Sequence, residues 1–92
     1  MSKYLMLGKY SAEAVKAIKA DRTKKVVEII EKQGGKVVGM YALIGPYDLA
    51  FIVDMPTSAS VMKAAIEITK FTGIGFFSSP AMSVEEFDKI AS

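Results

Sequence analysis

Residues 36–56 read "KVVGMYALIGPYDLAFIVDMP", and the two halves of this stretch decide the architecture. "KVVGMYALI" (36–44) and "DLAFIVDM" (48–55) are both rich in strand formers, and only Gly45, Pro46 and Tyr47 stand between them. A connection that short predicts an antiparallel hairpin. Pro56 ends the second run, because proline has no N–H to carry the ladder further.

Upstream of the hairpin, "KYLMLGKY" (3–10) predicts a first strand that stops before Ser11. Ser11 suits a helix N-cap, and Glu13 sits in the first turn, where the helix dipole favours negative charge. A helix is expected over 12–33, with Val15, Ile18, Val26, Ile29 and Ile30 repeating on one face. "KADRTKK" (19–25) has no large apolar side chain, so a kink is expected between Ile18 and Val26. Gly34-Gly35 closes this helix. Downstream, Thr57 or Ser58 caps a second helix over about 58–71, with Val61, Met62, Ala65, Ile66 and Thr69 as its inner stripe. Gly73 ends it. "IGFFSS" (74–79) is a fourth strand stopped by Pro80, and "VEEFDKI" (84–90) is a short helix expected to fold back across a sheet edge. Ser83 to Glu86 matches a capping box at its start.

The order β-α-β-β-α-β is the ferredoxin-like pattern of the α+β class, with two helices on one face of a four-stranded antiparallel sheet. One domain over 1–92 is expected, with the first and third strands in the middle of the sheet. A sheet with one wet face alternates apolar and polar residues. "YLML", "VVGMYALI" and "AFIV" are apolar at both parities. The face without helices therefore needs a cover, and a second copy of the chain is the expected one. Two such sheets packed face to face make a dimeric α+β barrel.

Composition points the same way. The 92 residues are 51% hydrophobic and 24% charged, which excludes a disordered chain and leaves more apolar surface than so short a chain buries easily alone. The 11 Lys and one Arg are interleaved with 10 acids, a solvated-surface pattern that does not support nucleic-acid binding. No apolar run reaches the roughly 18 residues of a membrane span. A soluble, cytoplasmic protein with no membrane partner is expected. There is no Cys and no His, so disulfides, thiolate nucleophiles, the commonest metal ligand and the usual general base are missing. No cofactor is expected. "GIG" (73–75) precedes a strand, whereas a dinucleotide-binding turn follows one.

With the hairpin placed, its connection matches a signature: Gly45-Pro46-Tyr47-Asp48. The chain resembles the GYD domain family, small prokaryotic proteins named for a Gly-x-Tyr-Asp-like hairpin. The resemblance covers nearly the whole chain, including "KYLMLGKY", Asp21-Arg22, Gly34-Gly35, Asp54-Met55-Pro56 and Glu85-Glu86. It implies the dimeric α+β barrel type. A similar hairpin is found in the effector-binding domains of feast/famine regulators, where small molecules bind at subunit interfaces. No helix-turn-helix segment is read in these residues, so a transcription role is not expected, and the resemblance supplies no catalytic residues.

Two readings of Gly45-Pro46-Tyr47-Asp48 stand side by side. Turn chemistry explains each residue type: Gly supplies unusual φ, Pro fixes φ, Asp bonds local N–H groups, and Tyr covers the sheet end. Alternatively, Tyr47 and Asp48 line a pocket mouth between subunits. Arg22 interrupts an apolar register and asks for a partner, with Asp54 or Asp48 the candidates and separately solvated charges the alternative. Tyr4, Met6, Gly8 and Tyr10 share one strand parity. Tyr4 and Met6, with Tyr41 and Phe51, are either core or the lining of a cavity. Gly8 inside a strand marks a close backbone approach or a bulge. The expected function is a homo-oligomeric ligand-binding or regulatory module with a small-molecule site near a subunit interface. The alternative is a cofactor-independent oxygenase or isomerase of the dimeric-barrel type acting on a hydrophobic substrate.

The ligand set of this chain is too poor to hold haem or a transition metal tightly. Elemental analysis and absorbance of the purified protein are expected to show neither, and stoichiometric zinc, iron or haem would contradict the reading.

Overall fold

The computed structural model describes residues 1–92. The elements run β1 (Ser2–Lys9), α1 (Ala12–Lys16), α2 (Ala20–Lys32), β2 (Lys36–Ala42), β3 (Leu49–Met55), α3 (Ser58–Thr72), β4 (Gly75–Pro80) and α4 (Val84–Ala91). The strands form one antiparallel sheet in the order β2-β3-β1-β4, so the first and third strands are central, as the ferredoxin-like pattern requires.

The core lies between this sheet and helices α2 and α3. From the strands come Tyr4, Met6, Phe51, Val53 and Met55, and from the helices Val26, Ile30, Val61, Ala64 and Ile68. The large side chains of Met6, Ile30, Val53, Met55 and Ile68 are fully enclosed. Each such burial stabilises the fold by about 1.5–3 kcal/mol before the entropy of ordering is counted. The helix ends are closed by side chains: Ser11 accepts from the Ala14 N–H, and Thr57 and Ser60 form a reciprocal capping box. Gly73, at φ 77°, is the left-handed cap that ends α3.

The long first helix expected from the sequence is two helices. The chain leaves α1 after Lys16 and starts α2 at Ala20. Arg22 accounts for the join, because its guanidinium donates to the Ala14 carbonyl and so serves an acceptor at the end of α1. The break turns Val15 and Ile18 outward, both more than half exposed, while Ala14 is buried instead. The inner stripe of α3 is also rotated from expectation. Val61, Ala64, Ile68 and Thr72 are buried, whereas Met62 and Ile66 are exposed. Thr69 is exposed too, and its one hydroxyl proton has two carbonyl acceptors in reach, Ile74 and Ala65.

The other sheet face carries Leu5 and Leu7 of β1, Ala50 and Ile52 of β3, Tyr41 of β2 and Phe77 of β4, which meet as cross-strand neighbours. Tyr41 and Phe77 are each 58% exposed. The α4 helix does not fold back over a sheet edge. None of its residues is buried, and Val84, Phe87 and Ile90 form an apolar stripe with nothing packed on it.

A register shift in β2 inserts Val38 as an extra residue, since Val37 faces Val53 and Gly39 faces Ile52. Such a bulge re-aims every side chain beyond it. Met40 and Ala42 consequently share a face with Phe51 and Leu49, on the helix side.

Gly8 is a close approach. A Cβ there would lie 2.9 Å from the Phe76 ring and 3.3 Å from Leu49 Cβ. Gly8→Val is expected to overpack this contact at a cost of about 1–3 kcal/mol. That lowers the melting temperature by about 4–8 °C per kcal/mol in a chain of this size. Gly75→Ala, where an added Cβ meets nothing within 4 Å, is expected to leave melting within error.

Candidate functional site

Two features meet at the end of the sheet where β1 finishes and the β2–β3 hairpin turns. The first is the corner Gly45-Pro46-Tyr47-Asp48. Gly45 has φ 150°, a conformation that a residue with a side chain adopts only under strain. Leu43 N–H donates to the Asp48 carbonyl and Asp48 N–H to the Gly8 carbonyl, each at 2.8 Å. The Asp48 carboxylate accepts from the Tyr10 N–H at 2.8 Å, and Lys9 Nζ donates to the Pro46 carbonyl at 3.0 Å. Asp48 thus joins the hairpin to the end of β1 through both backbone and side chain. Tyr47 packs its ring 6.5 Å from that of Phe77, beside the open face of the sheet.

The second feature is a cavity of about 180 Å³ on the helix side, between the start of α2 and the ends of β2 and β3. Its walls are mainly apolar. Met40, Ala42, Leu49 and Phe51 come from the hairpin, Ile74 from the approach to β4, and Val26 and Ile18 from the helical side. Tyr10, Lys19, Arg22 and Thr23 supply the polar groups, and Tyr41, whose pairing puts it on the open face, borders the cavity at the β2 edge of the sheet.

Arg22 is 7% exposed. Its guanidinium lies 5.5 Å from the centre of the Tyr10 ring, a cation–π arrangement, and donates to the Ala14 carbonyl. The carboxylate partners expected for it are engaged elsewhere. Asp54 pairs with Lys3 at 3.1 Å on the open sheet face, where antiparallel pairing puts the two residues opposite each other. Asp48 holds the Tyr10 N–H. The ion pairs of the chain are Lys3–Asp54, Lys25–Glu28 and Lys89–Glu85, and none includes Arg22.

Of the residues singled out in the sequence, Arg22 and Tyr41 line the cavity together with Phe51. Tyr4 and Met6 do not; they are core, with the Tyr4 hydroxyl 3.0 Å from Ser58 Oγ. Tyr47, Asp48 and Asp54 lie outside the cavity walls. Met40 escaped sequence reasoning because the Val38 bulge reverses the parity on which its face is assigned, whereas Leu49 had a visible signal, its shared parity with Phe51. Tyr10 had a visible signal, its shared parity with Tyr4 and Met6. No three acidic side chains converge to hold a metal ion. The arrangement offers a fixed positive charge at the wall of an apolar chamber.

The family model of the GYD domain matches residues 4–91. The chain belongs to the GYD domain family. No curated protein matches it. Among solved structures this GYD domain is similar to the leucine response regulatory protein LrpA of Mycobacterium tuberculosis, with a TM-score of 0.63 and 12% identity. The likeness covers 89% of this chain and 51% of that one, so the GYD domain spans about half the length of the regulator. At that identity the match speaks for the ferredoxin-like fold.

Asp48→Ala leaves the Tyr10 N–H without its acceptor and is expected to cost about 1–3 kcal/mol. Gly45→Val is expected to cost about as much through backbone strain. Tyr47→Phe removes a hydroxyl with no partner in the chain and is expected to leave melting unchanged. Thermal denaturation of the three variants checks this order.

Proposed function

We propose that this GYD domain, one unit over residues 1–92, is a cytoplasmic homo-oligomeric module that binds a small molecule or regulates through one. The observation that carries the reading is that the cavity and the open apolar face are two sides of the same strand ends. Residues 40–42 and 49–51 place Met40, Ala42, Leu49 and Phe51 at the cavity, while Ala50 stands on the open face. A ligand in the chamber therefore lies one sheet thickness from a partner packed on that face.

A second copy is the occupant that fits. The face has an apolar centre, Leu5, Leu7, Ile52 and Phe77, with the Lys3–Asp54 pair at one end and Lys9 at the other. An apolar core with a polar rim is the anatomy of a protein–protein interface, and a contiguous apolar patch marks such a site on a soluble chain. A two-fold axis through the face would pair it with itself. The solved structure of similar fold is a leucine response regulatory protein, which supports a regulatory role coupled to a small molecule.

Light scattering at micromolar concentration is expected to find a dimer or larger assembly for the wild type. Phe77→Lys, which puts a charge into the face while leaving the helix-side core untouched, is expected to yield a folded species of monomer mass. A wild type that scatters only as a monomer would contradict the reading.

A further inference from the structure

The cavity has a chemical preference, and naming its ligand rests on the ligand-binding role just proposed. Nine of its twelve lining residues are hydrophobic, and none is acidic. Its charged lining residues, Lys19 and Arg22, are both cations. Arg22 is the informative one. A charge nine-tenths removed from solvent is costly unless it is paired, yet this guanidinium makes one hydrogen bond, to a neutral carbonyl, and no ion pair. Guanidinium offers five N–H donors in a planar fork. The donors that Ala14 leaves free are not sealed inside protein, because no fully enclosed side-chain nitrogen lacks a partner. They have access to space, and Arg22 borders two spaces: this chamber, whose wall includes Tyr10, the ring over which the guanidinium sits, and a wider cleft that already holds Asp21 and Glu28 among lysines.

We propose that the chamber binds a small monocarboxylate with an apolar body, its carboxylate on Arg22 and its body against Met40, Leu49, Phe51 and Ile74. A carboxylate matches the fork in geometry and neutralises the buried charge. Lys19, also in the lining, adds positive charge. A phosphate dianion fits less well, since it brings twice the charge into walls that offer few further donors. The volume suits a small ligand. A chamber of about 150 Å³ accommodates benzene, so about 180 Å³ suits a body of six-carbon scale plus the carboxylate.

The test is titration of the full chain, at neutral pH, with hexanoate and phenylacetate against their uncharged amides, hexanamide and phenylacetamide. Inorganic phosphate serves as a further arm. Binding is followed by NMR at the Met40, Leu49 and Ile74 resonances, and light scattering is run on the same samples. Saturable shifts at these residues are expected with the acids, and binding of the amides about ten- to a hundredfold weaker, as loss of a charge-assisted hydrogen bond dictates. Arg22→Met is expected to abolish the preference for acid over amide, and Arg22→Lys to keep part of it. Should Arg22→Met fail to fold, the acid-to-amide ratio in the wild type decides by itself. Amides that bind as tightly as acids, acid-induced shifts that map to the surface lysines, phosphate that displaces the acids, or no saturable binding would each overturn the proposal. An oligomer that binds none of these probes overturns the carboxylate assignment alone. A monomer that binds the acids through Arg22 overturns the assembly instead.

Discussion

A four-stranded sheet whose strands are apolar on both sides needs two covers, and this chain supplies one. Helices α2 and α3 take the Tyr4, Met6, Phe51 and Val53 side and leave Leu5, Leu7, Ile52 and Phe77 at the surface. Burying apolar area contributes about 25 cal/mol per Å², so an uncovered face of this kind is a standing drive towards association. The same imbalance is visible in α4. A capped amphipathic helix with no buried residue has a stripe prepared for something beyond its own sheet. Both features are accounted for together if the folded unit is completed by another copy.

The constraint also gives the corner its role. Tyr47 lies against Phe77 beside the open face, while Asp48, the next residue, holds the end of β1 in place from within the sheet. Tyr10, whose N–H that carboxylate accepts, turns its ring under Arg22 at the cavity. A short covalent and hydrogen-bonded path thus runs from the open face, through Tyr47, Asp48 and Tyr10, to the guanidinium. The open face and the cavity wall are thus mechanically joined, since packed strands transmit displacement with little give.

Much of this was legible in the residues. Strand order followed from the three-residue connection at Gly45-Pro46-Tyr47, from the helical periods between strands and from the Pro and Gly stops. Parity alone separated Tyr4 and Met6 from Leu5 and Leu7. What was not legible depended on tertiary detail. The Val38 bulge has no strong local signature, yet it moves Met40 from one face to the other. The break between α1 and α2 depends on Arg22 reaching back to Ala14, and once the helix is cut its apolar period no longer runs through Val15 and Ile18. Arg22 stood out as an interruption of the apolar register, and of its two readings, a carboxylate within the chain or separately solvated charges, the first does not hold. Strand pairing had already given Asp54 to Lys3, and the hairpin had given Asp48 to Tyr10.

The central claim is that the open sheet face is buried in the native protein by a second copy. Its most direct test is the melting temperature as a function of protein concentration. A folded state that includes association is stabilised by mass action, so the midpoint should climb steadily over a hundredfold rise in concentration. A midpoint that stays constant across that range, with a reversible two-state transition, would show that the chain is stable with the face open to water and would contradict the account.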